Sequence, residues 1–294
     1  MKYRVSHRTE YIYGDLVPLS HNIVHLHPRD TLRQVCHGND ISVTPTPAWR
    51  RDRVDFFGNM CTSFGVQEPH KGLRVIARSE VEVQPYHVPE GFASPAWDLV
   101  PLMISARLDP TLLYARQFEF DSPYIQRSND LIEYARPSFQ PGRPLLDATL
   151  DLTHRIHTEF KFDSGVTTVG TPISEVLKYR HGVCQDFAHL MIGCLRSLGL
   201  AARYVSGYLV TKPPPGKPRL LGVDASHAWL SVFFPDYGWI DFDPTNGLIP
   251  SDAHITLGWA RDYDDIGPVK GVIVGGHRHT LRVAVDVEPL AVAA

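Results

Sequence analysis

The chain has 294 residues, of which 43% are hydrophobic and 21% charged, the proportions of a soluble globular protein with material for one large domain or two ordinary ones. A formal charge of −3 gives no electrostatic reason to expect nucleic acid or an anionic membrane as partner. No apolar run approaches the roughly 20 residues of a membrane span, and residues 1–8 lack the apolar stretch of a signal peptide, so a cytoplasmic location with reduced thiols is expected.

The chain opens on β signals. Residues 2–13 alternate up to a Gly14-Asp15 turn pair, residues 23–28 and 40–45 alternate again, and 73–83 form a long alternating run. Asp55-Phe56-Phe57-Gly58-Asn59 reads as a turn between strands. Short strands punctuated by turns predict a small β-sandwich-like N-terminal domain over residues 1–85. Residues 86–144 read as a connecting segment rich in Pro and aromatic residues. It carries a short helix near 128–135, capped by Ser128 or Asn129 and ended by Arg136-Pro137. A longer helix is predicted over Leu145–Glu159, with apolar positions at Leu146, Leu150, Leu152 and Ile156.

A Gly-rich turn, Tyr179-Arg180-His181-Gly182-Val183, then runs into a further helix. Its apolar residues fall at Phe187, Leu190, Met191, Cys194, Leu195 and Leu198, the spacing of a buried stripe, and Gly199 stops it. Cys184 lies in the first turn, where unpaired N–H groups and the helix dipole favour a thiolate, the nucleophilic form. Three strand-like runs follow at 202–210, 225–234 and 239–243, consistent with an antiparallel sheet packed on that helix. The Pro-rich loop 211–219 between the first two is either an inert connector or a rim that shapes access to a site. Residues 145–250 thus read as a catalytic core and 251–294 as C-terminal strands that return to a sheet, an α+β chain as a whole.

Cys36, Cys61, Cys184 and Cys194 show no CxxC pairing and no short Cys/His ligand spacing, which argues against a zinc site. Cys194, inside the apolar stripe, reads as a small buried hydrophobe, and His277 and His279 as surface residues. Cysteine catalysis needs a base to take the thiol proton and a third group to orient that base. His227, in Ser226-His227-Ala228-Trp229, opens a strand, and Asp241 and Asp243 share one face of the next. Antiparallel pairing about a turn centred near Asp236-Tyr237 brings Asp243 beside Ser231 or Leu230, which makes it a better orienter than Asp241. His189 is a rival base, but five residues from Cys184 it stands about 140° round the helix, which favours a structural role. Plainer roles exist for the same residues, namely a structural His227 and an Asp243 that only caps the Asp-Pro-Thr-Asn turn.

Gly182-Val183-Cys184-Gln185-Asp186-Phe187-Ala188-His189-Leu190, the segment 198–208, Ser226-His227-Ala228-Trp229 and the segment 238–246 together resemble the transglutaminase-like superfamily, bacterial branch. The N-terminal stretch with Asp55-Phe56-Phe57-Gly58-Asn59 is similar to the β-rich N-terminal region of that branch. The resemblance implies a papain/transglutaminase-like core, with a Cys-His-Asp triad at Cys184, His227 and Asp243 and thiol acyl-transfer chemistry. The superfamily includes proteases, amidases and true transglutaminases. Animal transglutaminases commonly carry Trp after the nucleophile; Gln185 here makes water the favoured acceptor. Gln185, with the Cys184 N–H, is a candidate to polarise a carbonyl, and Trp229 is either a core aromatic or a substrate platform. The expected activity is hydrolysis of a peptide or isopeptide amide through a thioester, with no metal or organic cofactor. Protein-glutamine transamidation and non-catalytic peptide binding are the alternatives.

Overall fold

The computed structural model describes residues 1–106, 109–211, 225–276 and 278–290, so most of the Pro-rich loop and His277 lie outside the described residues. The first strand, β1 (Lys2–Val17), buries Tyr3, Val5, His7 and Thr9 in alternation. It does not turn at Gly14-Asp15: the strand continues through a register shift between Ile12 and Val17, and the Gly14 N–H donates to the Arg278 carbonyl at 2.7 Å. β2 (Leu19–Val24), β3 (Gln34–Thr44), β4 (Trp49–Val54), β5 (Met60–Val66) and β6 (His70–Val83) follow. Asp55–Asn59 is the expected turn, with Asp55 Oδ1 accepting from the N–H groups of Phe57 (2.9 Å) and Asn59 (2.8 Å).

Among the described residues of the segment that follows lie three α-helices, not one: α1 (Val100–Ser105), α2 (Pro110–Arg116) and α3 (Asn129–Ala135), the last capped by Ser128. Their Val100, Ile104, Leu112 and Leu131 are buried in the same core as the later helices, so these residues belong to it rather than linking to it. α4 (Leu145–Glu159) turns Leu145, Ala148, Thr149, Leu152, Thr153 and Ile156 inward, while Leu146 and Leu150 are only partly covered. Two threonines can sit there because their hydroxyls donate to the Leu145 and Thr149 carbonyls at 2.7 Å each.

Next come β7 (Lys161–Phe162), α5 (Ile173–Tyr179), β8 (His181–Gly182), which pairs parallel with β7, and the central helix α6 (Cys184–Ser197). Gly199, at φ 77°, ends α6 as expected. The helix is not merely striped. Asp186, His189 and Arg196 are buried with its apolar residues, because α3, α4 and α5 cover the side that the sheet does not. Arg196 is tolerated there by donating to the carbonyls of Ala202, Phe120 and Arg261 and to Ser122 Oγ, at 2.6–3.1 Å.

The sheet beneath α6 is antiparallel throughout, in the order β11 (Gly238–Phe242), β10 (Ala225–Phe234), β9 (Ala202–Leu209) and β12 (His254–Ala260). After α7 (Tyr263–Ile266), β13 (Val269–Val274) pairs with β2 and β14 (His279–Leu290) with β1. The residues after 250 are therefore shared among three sheets: β12 completes the sheet beneath α6, and β13 and β14 complete the two four-stranded sheets of the sandwich. Tyr208, Ile255 and Leu257 of the sheet under α6 are buried in the sandwich core, and Tyr208 Oη lies 3.0 Å from His7 Nδ1, so the two halves share packing. No helix among the described residues is long and apolar enough to cross a membrane. All four cysteines are free.

Candidate active site

The approach to α6 is fixed by backbone conformation. Arg180 takes the left-handed region at φ 57° to end α5, and Val183, extended at φ −115° and ψ 178°, forms the N-cap. Val183 has no side-chain acceptor to offer the helix, so the restraint comes from the other direction. Asp186 reaches back to accept from the Val183 N–H at 2.8 Å, and from Thr167 Oγ1 at 2.7 Å. A Cβ on Gly182 would stand 2.7 Å from that carboxylate, which is why glycine precedes the cap. Cys184 emerges half-buried at the first helical position.

His227 stands near the start of β10, paired with Gly207 of β9. A Cβ on Gly207 would lie 2.2 Å from the Ile255 carbonyl and 2.4 Å from the Trp229 ring, so glycine lets both approach. The pairing Phe234↔Gly238 and Ser231↔Asp241 centres the hairpin on Asp236, slightly tighter than the sequence suggested, and ends at Leu230↔Phe242. Asp243 thus falls one step further along, toward His227. His227 Nε2 meets Asp243 Oδ2 at 2.7 Å and lies 3.3 Å from Asn246 Nδ2, and Cys184 acts on the ring as well. With Nε2 donated to the carboxylate, Nδ1 is the nitrogen left to face the thiol.

Asp243 is fully buried and ringed by donors. Oδ2 takes His227, His254 Nε2 at 3.0 Å and Asn246 Nδ2 at 2.7 Å, while Oδ1 takes the N–H groups of Thr245 at 2.9 Å and Asn246 at 3.2 Å. One oxygen thus accepts from the turn N–H groups and the other from the two histidines and Asn246. Burial alone would raise the Asp243 carboxyl, but the His227 and His254 hydrogen bonds and charges outweigh it and hold it well below the usual carboxylate range. Burial likewise works to lower His227, yet Asp243 and Cys184 raise it to about 10.

His254 and Asn246 were not singled out by the sequence reading. Asn246 lay within the quoted motif; His254, eleven residues beyond Asp243 on a strand without strong alternation, carried no local signal. His254 Nδ1 is buried with no hydrogen-bond partner among the described residues. His227, Asp243 and His254 also form a group whose ligand atoms lie within 4.8 Å of one another, close enough to consider a metal ion. Both imidazole Nε2 atoms, however, sit at hydrogen-bonding distance from one carboxylate oxygen, an arrangement held by protons.

The remaining expected residues have other occupations. Gln185 is nearly buried and donates from Nε2 to the Val169 carbonyl at 3.2 Å, tying down the preceding loop. Trp229 is fully buried and donates Nε1 to Asp241 at 3.1 Å, so it meets the site as packing against His227 and His254 and offers no open platform to substrate. His189 accepts from the Tyr263 N–H at 3.2 Å and packs near-parallel to Tyr124; burial and the charge of Arg196 lower it to about 3, a neutral structural acceptor.

A half-buried thiol, an imidazole and a buried carboxylate in this order form the arrangement that nucleophilic acyl transfer uses. Residues 3–82 match the bacterial transglutaminase-like N-terminal region and residues 132–244 the transglutaminase-like superfamily. An uncharacterized protein of Mycobacterium tuberculosis is 43% identical over 293 residues, covering 98% of this chain and 93% of its own. The protein-glutamine gamma-glutamyltransferase of Pseudomonas aeruginosa is 36% identical over 72 residues, 24% of this chain and 11% of its own. The fold is shared with the "putative cysteine protease" of Cytophaga hutchinsonii, with a TM-score of 0.73 and 21% identity, over 100% of this chain and 92% of that one. The chain belongs to the transglutaminase-like superfamily.

Proposed function

We propose that the protein is a cysteine-dependent amide hydrolase acting on peptide or isopeptide bonds, with Cys184, His227 and Asp243 as its triad. The observation that carries this reading is the His227 imidazole held between Asp243 and Cys184 at the start of α6. Cys184 Sγ, its proton passed to His227 Nδ1, attacks the carbonyl carbon, and the Cys184 N–H at the helix start stabilises the oxyanion. His227 gives the proton to the departing nitrogen, the C–N bond breaks and a thioester remains. Water then attacks, yielding its proton to His227, and the C–S bond breaks to release the acid and restore the thiol. Asp243 keeps the ring oriented throughout. A reducing, cytoplasmic setting belongs to the same reading, supported by the free thiols.

The 72-residue likeness to a glutamyltransferase favours transamidation as a second reading, in which an amine replaces water at the thioester. Products formed with and without an added primary amine separate the two. The first test needs no substrate: the rate of Cys184 alkylation by iodoacetamide against pH, located by peptide mass spectrometry, with His227→Ala as control. Reaction well below pH 8, with a profile altered in the variant, is expected. A Cys184 that is inert throughout, or titrates like a free thiol in both proteins, overturns the enzyme and leaves a peptide-binding module.

A further inference from the structure

Alternation carries the row His227, Trp229, Ser231 along one face of β10, and the neighbouring strands add Asp241 and Trp239, Val205 and Arg203, and Thr256 and Trp259. Away from the triad this row opens into a cavity of about 560 Å³, also lined by Arg33, Tyr86 and Tyr237. No member of the triad lines it. A smaller neighbouring recess shares Arg33, Asp241 and Thr256 with it and touches Trp229 and His254.

Arg203 is the unusual residue there. It is only 6% exposed, and its guanidinium carbon lies over two tryptophan rings, 4.2 Å from the Trp239 ring centre and 3.8 Å from that of Trp259. Neither ring offers an acceptor to a guanidinium N–H in its plane, so those groups need partners elsewhere. Nε is buried and has no hydrogen-bond partner among the described residues. Burial lowers Arg203 to about 9, partly offset by Asp241 and Tyr114, which still leaves it charged at neutral pH.

Arg33, stacked 4.1 Å over Tyr86, brings a second cation. The carboxylate between them is already engaged: Asp241 accepts from Trp229 Nε1 and Ser231 Oγ and stands 3.9 Å from Arg33, too far for a hydrogen bond. Two guanidiniums against one committed carboxylate leave the cavity with an excess positive charge.

We infer that this cavity binds a small organic carboxylate, its planar CO₂⁻ taken side-on by the Arg203 edge and its body held among the aromatic walls. A planar fork held against aromatic rings suits a planar bidentate acceptor, and the volume is that of an ordinary small-molecule site. The site lies outside the triad and does not depend on the proposed reaction.

The test is calorimetric titration of the Cys184→Ala protein, in which amide hydrolysis cannot contribute, with benzoate, benzamide and inorganic phosphate. Saturable benzoate binding is expected, with quenching of tryptophan fluorescence and at least tenfold weaker binding of benzamide and phosphate. Arg33→Gln, on the partly exposed cation, should weaken benzoate severalfold, and Arg203→Lys, which keeps the charge and loses the fork, by tenfold or more. Absence of saturable benzoate binding overturns the site. So does benzamide or phosphate binding as tightly as benzoate, or benzoate binding unchanged in the folded Arg33→Gln protein.

Discussion

Asp243 is the residue on which the candidate site turns, because five donors converge on one buried carboxylate. Its hydrogen bond and charge, with those of Cys184, raise His227 against the effect of burial, and this sets the sign of a pH dependence. His227 binds its proton more tightly folded (to about 10) than an unperturbed histidine at about 6.5. Its contribution to stability is thus complete below about pH 6.5 and lost as pH rises toward 10. The His227 imidazole should remain protonated at pH 8.5 by ¹⁵N-edited NMR, and Asp243→Asn should move its midpoint down by a unit or more; a neutral ring at pH 8.5 in the parent protein would sink this account. His254 contributes one of the donors on Oδ2. Its replacement by Phe fills the volume but leaves that oxygen a donor short, and should cost about 1–3 kcal/mol in urea denaturation. A change within about 0.5 kcal/mol would mean that His227 and Asn246 suffice.

Among the elements, the sheet under α6 depends on close approach of three strands at Gly207. The Ile255 carbonyl of β12 and the Trp229 ring of β10 both occupy the space a side chain would need. Gly207→Ala should therefore force β12 away from β9, carry His254 with it, and lower stability by about 3 kcal/mol or more. Thermal unfolding followed by circular dichroism measures this, and an unchanged melting temperature would contradict the packing described. The helix depends on a different device. Asp186 reaching back to Val183 fixes the turn from which Cys184 emerges, so the thiol is positioned by contacts within its own helix start.

For the whole molecule, the two ends of the chain are joined through sheets. β14 pairs with β1 from Lys2↔Leu290 to Tyr13↔His279, and β13 pairs with β2, so the N-terminal sandwich is completed by strands that follow the core in the chain. Removing residues 269–294 would bare the edges of β1 and β2, two rows of unpaired backbone groups. That truncation should aggregate or form mixed oligomers in size-exclusion chromatography with light scattering; a monodisperse, folded monomer would show that six strands suffice.

What the residues alone determined was local. Alternation gave most strands, the i, i+3, i+4 stripe gave α6, the glycines gave its ends, and motif spacing nominated Cys184, His227 and Asp243. Those signals are legible because they arise from backbone geometry repeating every two or 3.6 residues. The strand through Gly14-Asp15 was misread because a turn pair and a bulge look alike until a partner strand such as β14 is known. Threonines 149 and 153 broke the stripe of α4 because their hydroxyls are satisfied within the helix, which apolar periodicity does not register. Only the tertiary structure decided that His254 reaches Asp243, that the Trp229 and Gln185 polar groups are spent elsewhere, and that Arg203 meets two tryptophan rings. Each joins residues from separate elements, and no local spacing encodes which groups long-range packing will bury together.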